Sequence, residues 1–519
     1  MNKNLQTVFK YHEQTKHSPQ RYARSLGYMD WSTQPNPFRN YTATDSIELP
    51  LSFNNSTPPY HLLDTDLPSA PLVIESISQL LQFSLGIAAY KKSSGSSWAV
   101  RCNASSGNLH PTETYLVLPP VLKHQEKTTV YHYAPKNHTL EILNSFNTDF
   151  WKKLPNGSFL LGLSSITWRE TWKYGERAFR YTQLDAGHAW QAIVVSAKLL
   201  GWKVTRLDSI SNNDINTIFG LNQQDRFFEK ENGDILFIIS PEHVNSDINL
   251  DSFIEDVSFN FDGIANKLSP SMQNWEIIPQ IENATTQMQR AQKNIQTSIN
   301  VKNPSKEAKD VILNRRSVHI MDKNSSSINK KRFHALLSSV NTSLDSKENS
   351  SHLVFFIHRV QEYEKGLYIL IRNNRDLDEL KSLMHKAFRW EDTEFKNLYF
   401  LEQRDLEMTS KHISCSQDIA SDGAFSLGML CNFSQQIQEN GAHRYKELFW
   451  ECGMIGQELY LEATSLGLSG TGIGCFLDDM MHGLLGIKTN KFQILYHFTI
   501  GRGYVDSRIQ TMPAYSNRS

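Results

Sequence analysis

Three short stretches carry residue types able to hold a phosphate or a planar polar ligand. "ILNRRSVHIM" places Arg315, Arg316 and Ser317 in succession, two guanidinium forks and a hydroxyl suited to phosphate and to carbonyl edges. "LSGTGIGCFLDD" spaces Gly470, Gly472 and Gly474 so that backbone amides can approach a ligand where side chains would not. "CNASSGNLHPTETYLVLPP" sets Ser105, Ser106, Gly107 and Asn108 ahead of an apolar, β-branched run. Near the end, "YHFTIGRGYVDSRIQ" puts Arg502 between two glycines, with Arg508 nearby, where a strand end could reach a phosphate. Each stretch also has a plain reading: a helix start, a helix C-cap with its loop, a turn, a surface turn. The glycine run is not the dinucleotide fingerprint, which follows a strand and opens a helix; here it follows a helix.

The elements that must position these residues occur twice. "FRYTQLDAGHAWQAIVVSAKLLGW" aligns with "YKELFWECGMIGQELYLEATSLGL", so that Asp185 falls on Glu451, Gly187 on Gly453 and Gln191 on Gln457. Both read as a buried helix, and each is followed by a strand, "DILFIIS" and "QILYHFTIG". A second pairing sets "YAPKNHTLEIL" against "VQEYEKGLYIL", each a turn leading into a strand. The repeat predicts two copies of one α+β unit, residues 71–265 and 308–519, with a linker at 266–307. Residues 1–70, with Pro35, Pro37, Pro50, Pro58 and Pro59, read as an irregular extension wrapped on the body. The copies are unequal in a complementary way. The first has "KVTRLDS" where the second has the glycines, and "ISPEH" where the second has "IGRG". The second has "NTSLDSKENSS" where the first has Ser105 to Pro111.

Composition narrows the class. Lys plus Arg number 53 and Asp plus Glu 54, a balance that shows no basic field for nucleic acid. No uninterrupted apolar run reaches transmembrane length, so no membrane role is expected. Five scattered cysteines lack metal-like spacing, so no metal is expected, and free thiols in a reducing, cytoplasmic setting are.

With these residues together, the chain resembles the flavin-dependent nitroreductase superfamily, and within it SagB-type dehydrogenases, relatives of azoline oxidases. The marks are R-R-S, S-S-G-N-x-x-P, K-Y-x(5)-R-Y followed by D-A-G-H, and G-x-G-I-G, in that family's order within each unit. The resemblance implies an α+β fold of two nitroreductase-like domains fused as an intrachain pseudo-dimer, whose family counterparts are homodimers with FMN in the interface. By matching position it implies FMN contacts from Arg315, Arg316 and Ser317. Ser105, Ser106, Gly107 and Asn108 would approach from the first half, and Gly472, Ile473 and Gly474 would lie along the ring system. Arg502, and less directly Arg508, would hold the phosphate. One composite site is implied, because the first half lacks the parts for a second.

The same resemblance marks Lys173-Tyr174 as catalytic; the aligned residues of the second half are Glu439-Asn440. A buried lysine can take the proton that accompanies hydride departure, with tyrosine as its hydrogen-bond partner. Asp185 and His188 are read as organising the start of the long helix, and His110 as positional beside Pro111. Ala104, where the family often has proline, is read as loosening the loop. Three activities fit. The first is oxidation of a C–N or C–C bond of a small molecule or peptide, as in azoline-to-azole conversion, with O₂ as acceptor. The second is NAD(P)H-dependent reduction of nitro compounds or quinones, and the third a non-catalytic scaffold within a peptide-modifying complex.

Overall fold

The computed structural model describes residues 2–122, 125–208, 210–287, 306–341 and 349–518. Most of "NTSLDSKENSS" and much of the 266–307 linker lie outside the described residues.

Two seven-stranded antiparallel sheets form the two lobes, and six strands of each follow the same order; the edge strand differs, coming from the N-terminal extension at Ser46–Glu48 in the first and from between two sheet strands at Glu391–Asp392 in the second. In the first, the spatial order is Ser46–Glu48, Thr139–Phe146, Thr128–Ala134, Thr112–Leu118, Phe159–Ser165, Asn232–Ser240 and Lys203–Arg206. In the second it is Glu391–Asp392, Leu398–Gln403, Gly366–Leu370, Ser351–Ile357, Phe425–Asn432, Phe492–Gly501 and Ser469–Ile473. The central strands are buried along their whole length, as in "FLLGLSS" and "SHLVFFI", because each sheet is covered on both faces.

This topology corrects one alignment. "TLEIL" of the first lobe begins the strand Thr139–Phe146, whose counterpart is Leu398–Gln403; "GLYIL" at 366–370 matches Thr128–Ala134 instead. Two apolar strands joined by a turn look alike in either register, and only the pairing order separates them.

The helices Ala178–Leu199 and Arg444–Ser465 cross between the lobes. A Cβ on Gly187 would overlap the Trp450 carbonyl, and one on Gly453 the Leu184 carbonyl, so the two backbones touch where the repeat places its paired glycines. With polar residues such as Gln183, Gln191 and Gln457 buried as well, these helices are interior on all sides.

The chain ends tie the lobes further. The helix Lys3–Gln14 lies on the second lobe, where His12 meets Gln493 Oε1 at 3.1 Å. Beyond it, Asp478 accepts from the His17 amide and from Arg177 and Arg180, each at 2.9 Å. Burial alone would raise this carboxyl, but the two guanidiniums hold it well below the ordinary range. At the other end, Gln510–Pro513 pairs with Ile87–Ser93 of the first half, making a three-stranded sheet with Ser96–Arg101.

Candidate functional site

The Ser105–Asn108 segment is a tight turn. Gly107 and Asn108 both have φ 59°, a left-handed conformation that glycine and asparagine tolerate. Asp185 fixes the turn from the central helix: Ser105 Oγ donates to it at 2.6 Å, Ser106 N at 3.0 Å and Ser106 Oγ at 2.8 Å. Asn108 Nδ2 donates to the Ala99 carbonyl at 2.9 Å, and Ala104 N–H donates to Gln457 Oε1 of the second lobe at 3.1 Å. Ala104 is thus held, not loose. Asp185 is the eighth residue of its helix, which begins at Ala178. It therefore anchors a loop distant in sequence and does not organise the helix start, and His188, one turn on, bridges Gln457 and Tyr496 Oη. Burial pushes Asp185 up to about 7 against the opposing pull of its serine donors. The second lobe repeats the device, since Glu451 accepts the Ser350 and Ser351 amides at 3.1 Å. There Arg372 adds a cation at 2.9 Å.

Lys173 and Tyr174 end the helix Thr167–Tyr174 and close on this turn. A Cβ at Gly107 would sit 2.9 Å from Tyr174 Oη and 3.3 Å from Lys173 Nζ, so glycine is required by space as well as by φ. Tyr174 packs on Tyr181 with ring centroids 4.2 Å apart and planes tilted by 30°, and Tyr181 occupies the space a Cβ of Gly474 would need. One turn before Lys173, Glu170 is fully buried, and neither carboxylate oxygen has a hydrogen-bond partner among the described residues. Burial, then Asp185, pushes its pKa well up. Sequence reasoning missed Glu170; its position three residues before Lys173 on one helix was the available signal.

The second lobe supplies the opposite wall. Arg315, 3% exposed, reaches across to the first lobe, where Nε donates to the Cys102 carbonyl at 2.8 Å and Nη2 to the Arg101 carbonyl at 2.9 Å. Nη1 is buried without a partner among the described residues. Its guanidinium lies over the Tyr460 ring, whose hydroxyl meets Ser317 Oγ at 2.7 Å and accepts from Gly472 N at 2.8 Å. The glycine segment Ser469–Ile473 is an edge strand, not a helix-capping loop. Its glycines, with Gly474 just beyond, make room for aromatic side chains: Phe498 at Gly470, Tyr496 at Gly472 and Tyr181 at Gly474. Ile473, 2% exposed, packs with Met321, Ile419 and Ala420.

Arg316 donates to the Leu313 and Arg315 carbonyls. Burial, then Arg315, lowers it to about 10, and burial with Arg316 lowers Lys91 of the first lobe. No carboxylate pairs with Arg315, Arg316 or Lys91 among the described residues, so the three form an uncompensated cationic cluster that spans the lobes. Lys91 was not singled out from sequence. Arg502 is exposed beside Gly503, whose backbone packs on Val318 and Ser469, next to Ser317. Arg508 is exposed and makes a two-point ion pair with Asp506, at 2.7 and 2.9 Å, and nothing among the described residues joins it to Arg315 or Ser317.

The parts thus form one continuous band, from Arg315 through Tyr460, Gly472, Tyr496 and His188, and from Gly474 through Tyr181 and Tyr174 to Gly107. At one end, among the described residues, it has a guanidinium nitrogen without a partner and unmatched positive charge, and at the other a lysine, a tyrosine and the buried Glu170 carboxyl. The donor set fits a phosphorylated flavin in charge and in polar chemistry. A cavity of about 580 Å³ lies elsewhere, lined by Phe179, Gln183, Asp234 and Lys446, and contains none of these residues.

Comparisons with known proteins agree with this architecture. The Nitroreductase family model matches residues 271–502. A protein of Methanocaldococcus jannaschii provisionally named nitroreductase MJ1384 is 23% identical over 163 residues, covering 30% of this chain and 78% of its own. The crystal structure of a provisionally named nitroreductase from Anabaena variabilis superposes with a TM-score of 0.71 at 19% identity, covering 96% of this chain and 99% of that one. A chain of the E. coli microcin synthetase McbBCD complex with truncated pro-MccB17 bound matches at 21% identity. It covers 47% of this chain and 93% of that one, with a TM-score of 0.28, too low to bear on function. Among the described residues no helix is long and apolar enough to cross a membrane. Family members generally use FMN, and the match supports an oxidoreductase. The chain carries a Nitroreductase family domain in its second half and folds as a tandem pair of nitroreductase-like domains.

Proposed function

We propose that the chain is an FMN-dependent dehydrogenase of the SagB type that oxidises a C–N or C–C bond of a small-molecule or peptide substrate, as in azoline-to-azole conversion. Domains 71–265 and 308–519 share one FMN between them. The observation that carries the reading is the placement of Lys173 and Tyr174 against Gly107, in the band that Arg315 and Gly474 complete from the other lobe. Arg315, Arg316 and Lys91 would hold the phosphate and pyrimidine edge, with Arg502 at the rim. Bound there, FMN supplies hydride acceptance. Lys173 Nζ would take the proton from the substrate atom, nitrogen or carbon, next to the carbon that gives up its hydride. The Tyr174 ring, its centroid 5.4 Å from that amine, packs beside it, and Tyr181 and Tyr496 keep water out. A second site is disfavoured because the edge strand Lys203–Arg206 of the first lobe has no glycine. Its Arg206 is also bound by Asp208 and Glu447 at 2.5 and 3.0 Å.

Lys173→Ala should bind FMN with one equivalent per chain and lose substrate dehydrogenation by at least 10²-fold, on the order of a general base's contribution. Flavin content from the absorbance spectrum and single-turnover flavin reduction by substrate measure the two. Full turnover in the variant would remove Lys173 from the mechanism. NADH-driven reduction of a quinone as the sole activity would favour the reductase.

A further inference from the structure

Each lobe meets a short helix from outside the repeated units. Lys3–Gln14 lies on the second lobe, and Ile277–Ala284 with the residues after it forms part of the wall of the cavity of about 580 Å³ in the first. The two helices end alike. Thr15 Oγ1 and Thr285 Oγ1 each donate back to the carbonyl four residues before, at 2.8 Å, and both threonines are fully buried. Two residues on, the His17 amide donates to Asp478 at 2.9 Å and the Gln287 amide to Asn212 Oδ1 at 2.6 Å. Asp478 and Asn212 open matching helices, each closed by a left-handed glycine, Gly486 and Gly220. Counted back from the two threonines, His12 and Glu282 hold the same place.

The two seats are packed differently. In the second lobe, His12 lies on Phe433 with ring centroids 4.3 Å apart, and its Nε2 meets Gln493 Oε1 at 3.1 Å. Arg180 Nε donates to Thr15 Oγ1 at 2.9 Å, and His12, Phe433 and Gln493 are each 1% exposed. In the alignment that sets Asp185 on Glu451, Thr167 takes the place of Phe433 and Lys446 that of Arg180. Thr167, Lys446 and Glu282 all line the cavity. The lining is also polar where the second lobe is apolar. The strand Asn232–Ser240 bulges at Asp234, between Gly233 and Ile235, whereas Phe492–Gly501 bulges at Leu495, a residue of the apolar core. Asp234, 8% exposed, accepts from Lys446 Nζ at 2.8 Å through Oδ1, and its Oδ2 is buried without a partner among the described residues. Ser165 Oγ, where the second lobe has Cys431, is likewise buried and without a partner among them. Four carboxylates, of Glu229, Glu231, Asp234 and Glu282, line the cavity against the ammoniums of Lys230 and Lys446. A buried carboxylate oxygen left unmatched is costly, and a donor that carries positive charge offsets that cost best.

We propose that this cavity binds a small organic cation, an amine or guanidine, whose N–H donors reach Asp234 Oδ2 and Ser165 Oγ. Phe179 and Phe227, also in the lining, give the cation aromatic surface. The volume falls within the range of small-molecule sites, roughly 300–1,000 Å³. The site shares no residue with the band proposed for FMN, so it does not rest on the proposed reaction.

The test is isothermal titration calorimetry of the full-length protein with agmatine, which carries a guanidinium and an ammonium. Sorbitol serves as the neutral control and succinate as the anionic one. Agmatine should saturate at one equivalent per chain with a Kd of about 1 mM or tighter, and neither control should give saturable heat. Asp234→Asn keeps the shape of the side chain and should weaken agmatine by about 10-fold or more. Thr167→Phe supplies the side chain that the second lobe carries and should abolish binding by filling the space. Circular dichroism melts check that both variants fold, and the wild-type titrations stand without them. A wild type that gives no saturable heat with agmatine would overturn the proposal. So would unchanged affinity in either folded variant, or sorbitol or succinate binding as tightly as agmatine.

Discussion

At the scale of single residues, the site depends on groups whose partners lie in the other lobe. Arg315 satisfies two buried carbonyls of the first lobe, so Arg315→Ala leaves both unpaired, at about 1–3 kcal/mol each. Its FMN content should fall together with its denaturation midpoint. Arg315→Lys should recover little of either, since one ammonium cannot replace a fork that bridges two carbonyls. Asp185 gives a pH signature. Its folded pKa, about 7, lies above the ordinary aspartate value near 4, so the folded chain retains a proton that the unfolded chain releases. Its contribution to stability is therefore complete below about pH 4 and is lost as pH rises through 7. Asp185→Asn should flatten that decline by up to about 1.4 kcal/mol per pH unit, read from urea denaturation across pH 4–7. The types of these residues were legible in the sequence. Their partners were not, because Ser105 and Ser106 turn their hydroxyls to an aspartate eighty residues away.

At the scale of elements, the crossing of the two long helices is the tightest constraint. Gly187→Ala or Gly453→Ala drives a methyl into a facing backbone carbonyl and should cost about 3 kcal/mol or more in denaturant unfolding. Gly483, within the helix Asp478–Leu485, has nothing within 4 Å of its missing Cβ. Gly483→Ala should instead stabilise by about 0.5–1 kcal/mol, since only backbone entropy changes. The sequence located both helices and the strands "DILFIIS" and "QILYHFTIG". It misread the start of the first helix and offered a loop as the plain reading of the post-helix glycines. A run of Ser, Gly and Thr has weak strand propensity, and here the pairing with Phe492–Gly501 overrides it.

At the scale of the whole molecule, the lobes are interlocked at their ends as well as at the central helices. Residues 510–518 reach the first lobe, where Tyr515 Oη accepts the Ile87 amide at 3.0 Å and donates to the Pro135 carbonyl at 2.7 Å. Deleting residues 510–519 should therefore raise hydrogen exchange across Ile87–Arg101, more than 400 residues away in sequence, while the strands of the second lobe stay protected. Protection of Ile87–Arg101 equal to wild type would show that this strand contributes nothing to the first lobe.

The sequence by itself determined the duplicated α+β unit, the long buried helices and the unequal distribution of Arg315-Arg316-Ser317, the glycines and Lys173-Tyr174 between the copies. Those features are local patterns or repeats, and neither needs knowledge of distant neighbours. Tertiary structure decided the register between the copies, the pairing of Asp185 with the serine turn, the tyrosines that fill the space beside Gly472 and Gly474, and the cluster of Lys91 with Arg315 and Arg316. Each of those depends on which side chains meet across the lobe interface, and contact across an interface leaves no periodic mark on a single chain.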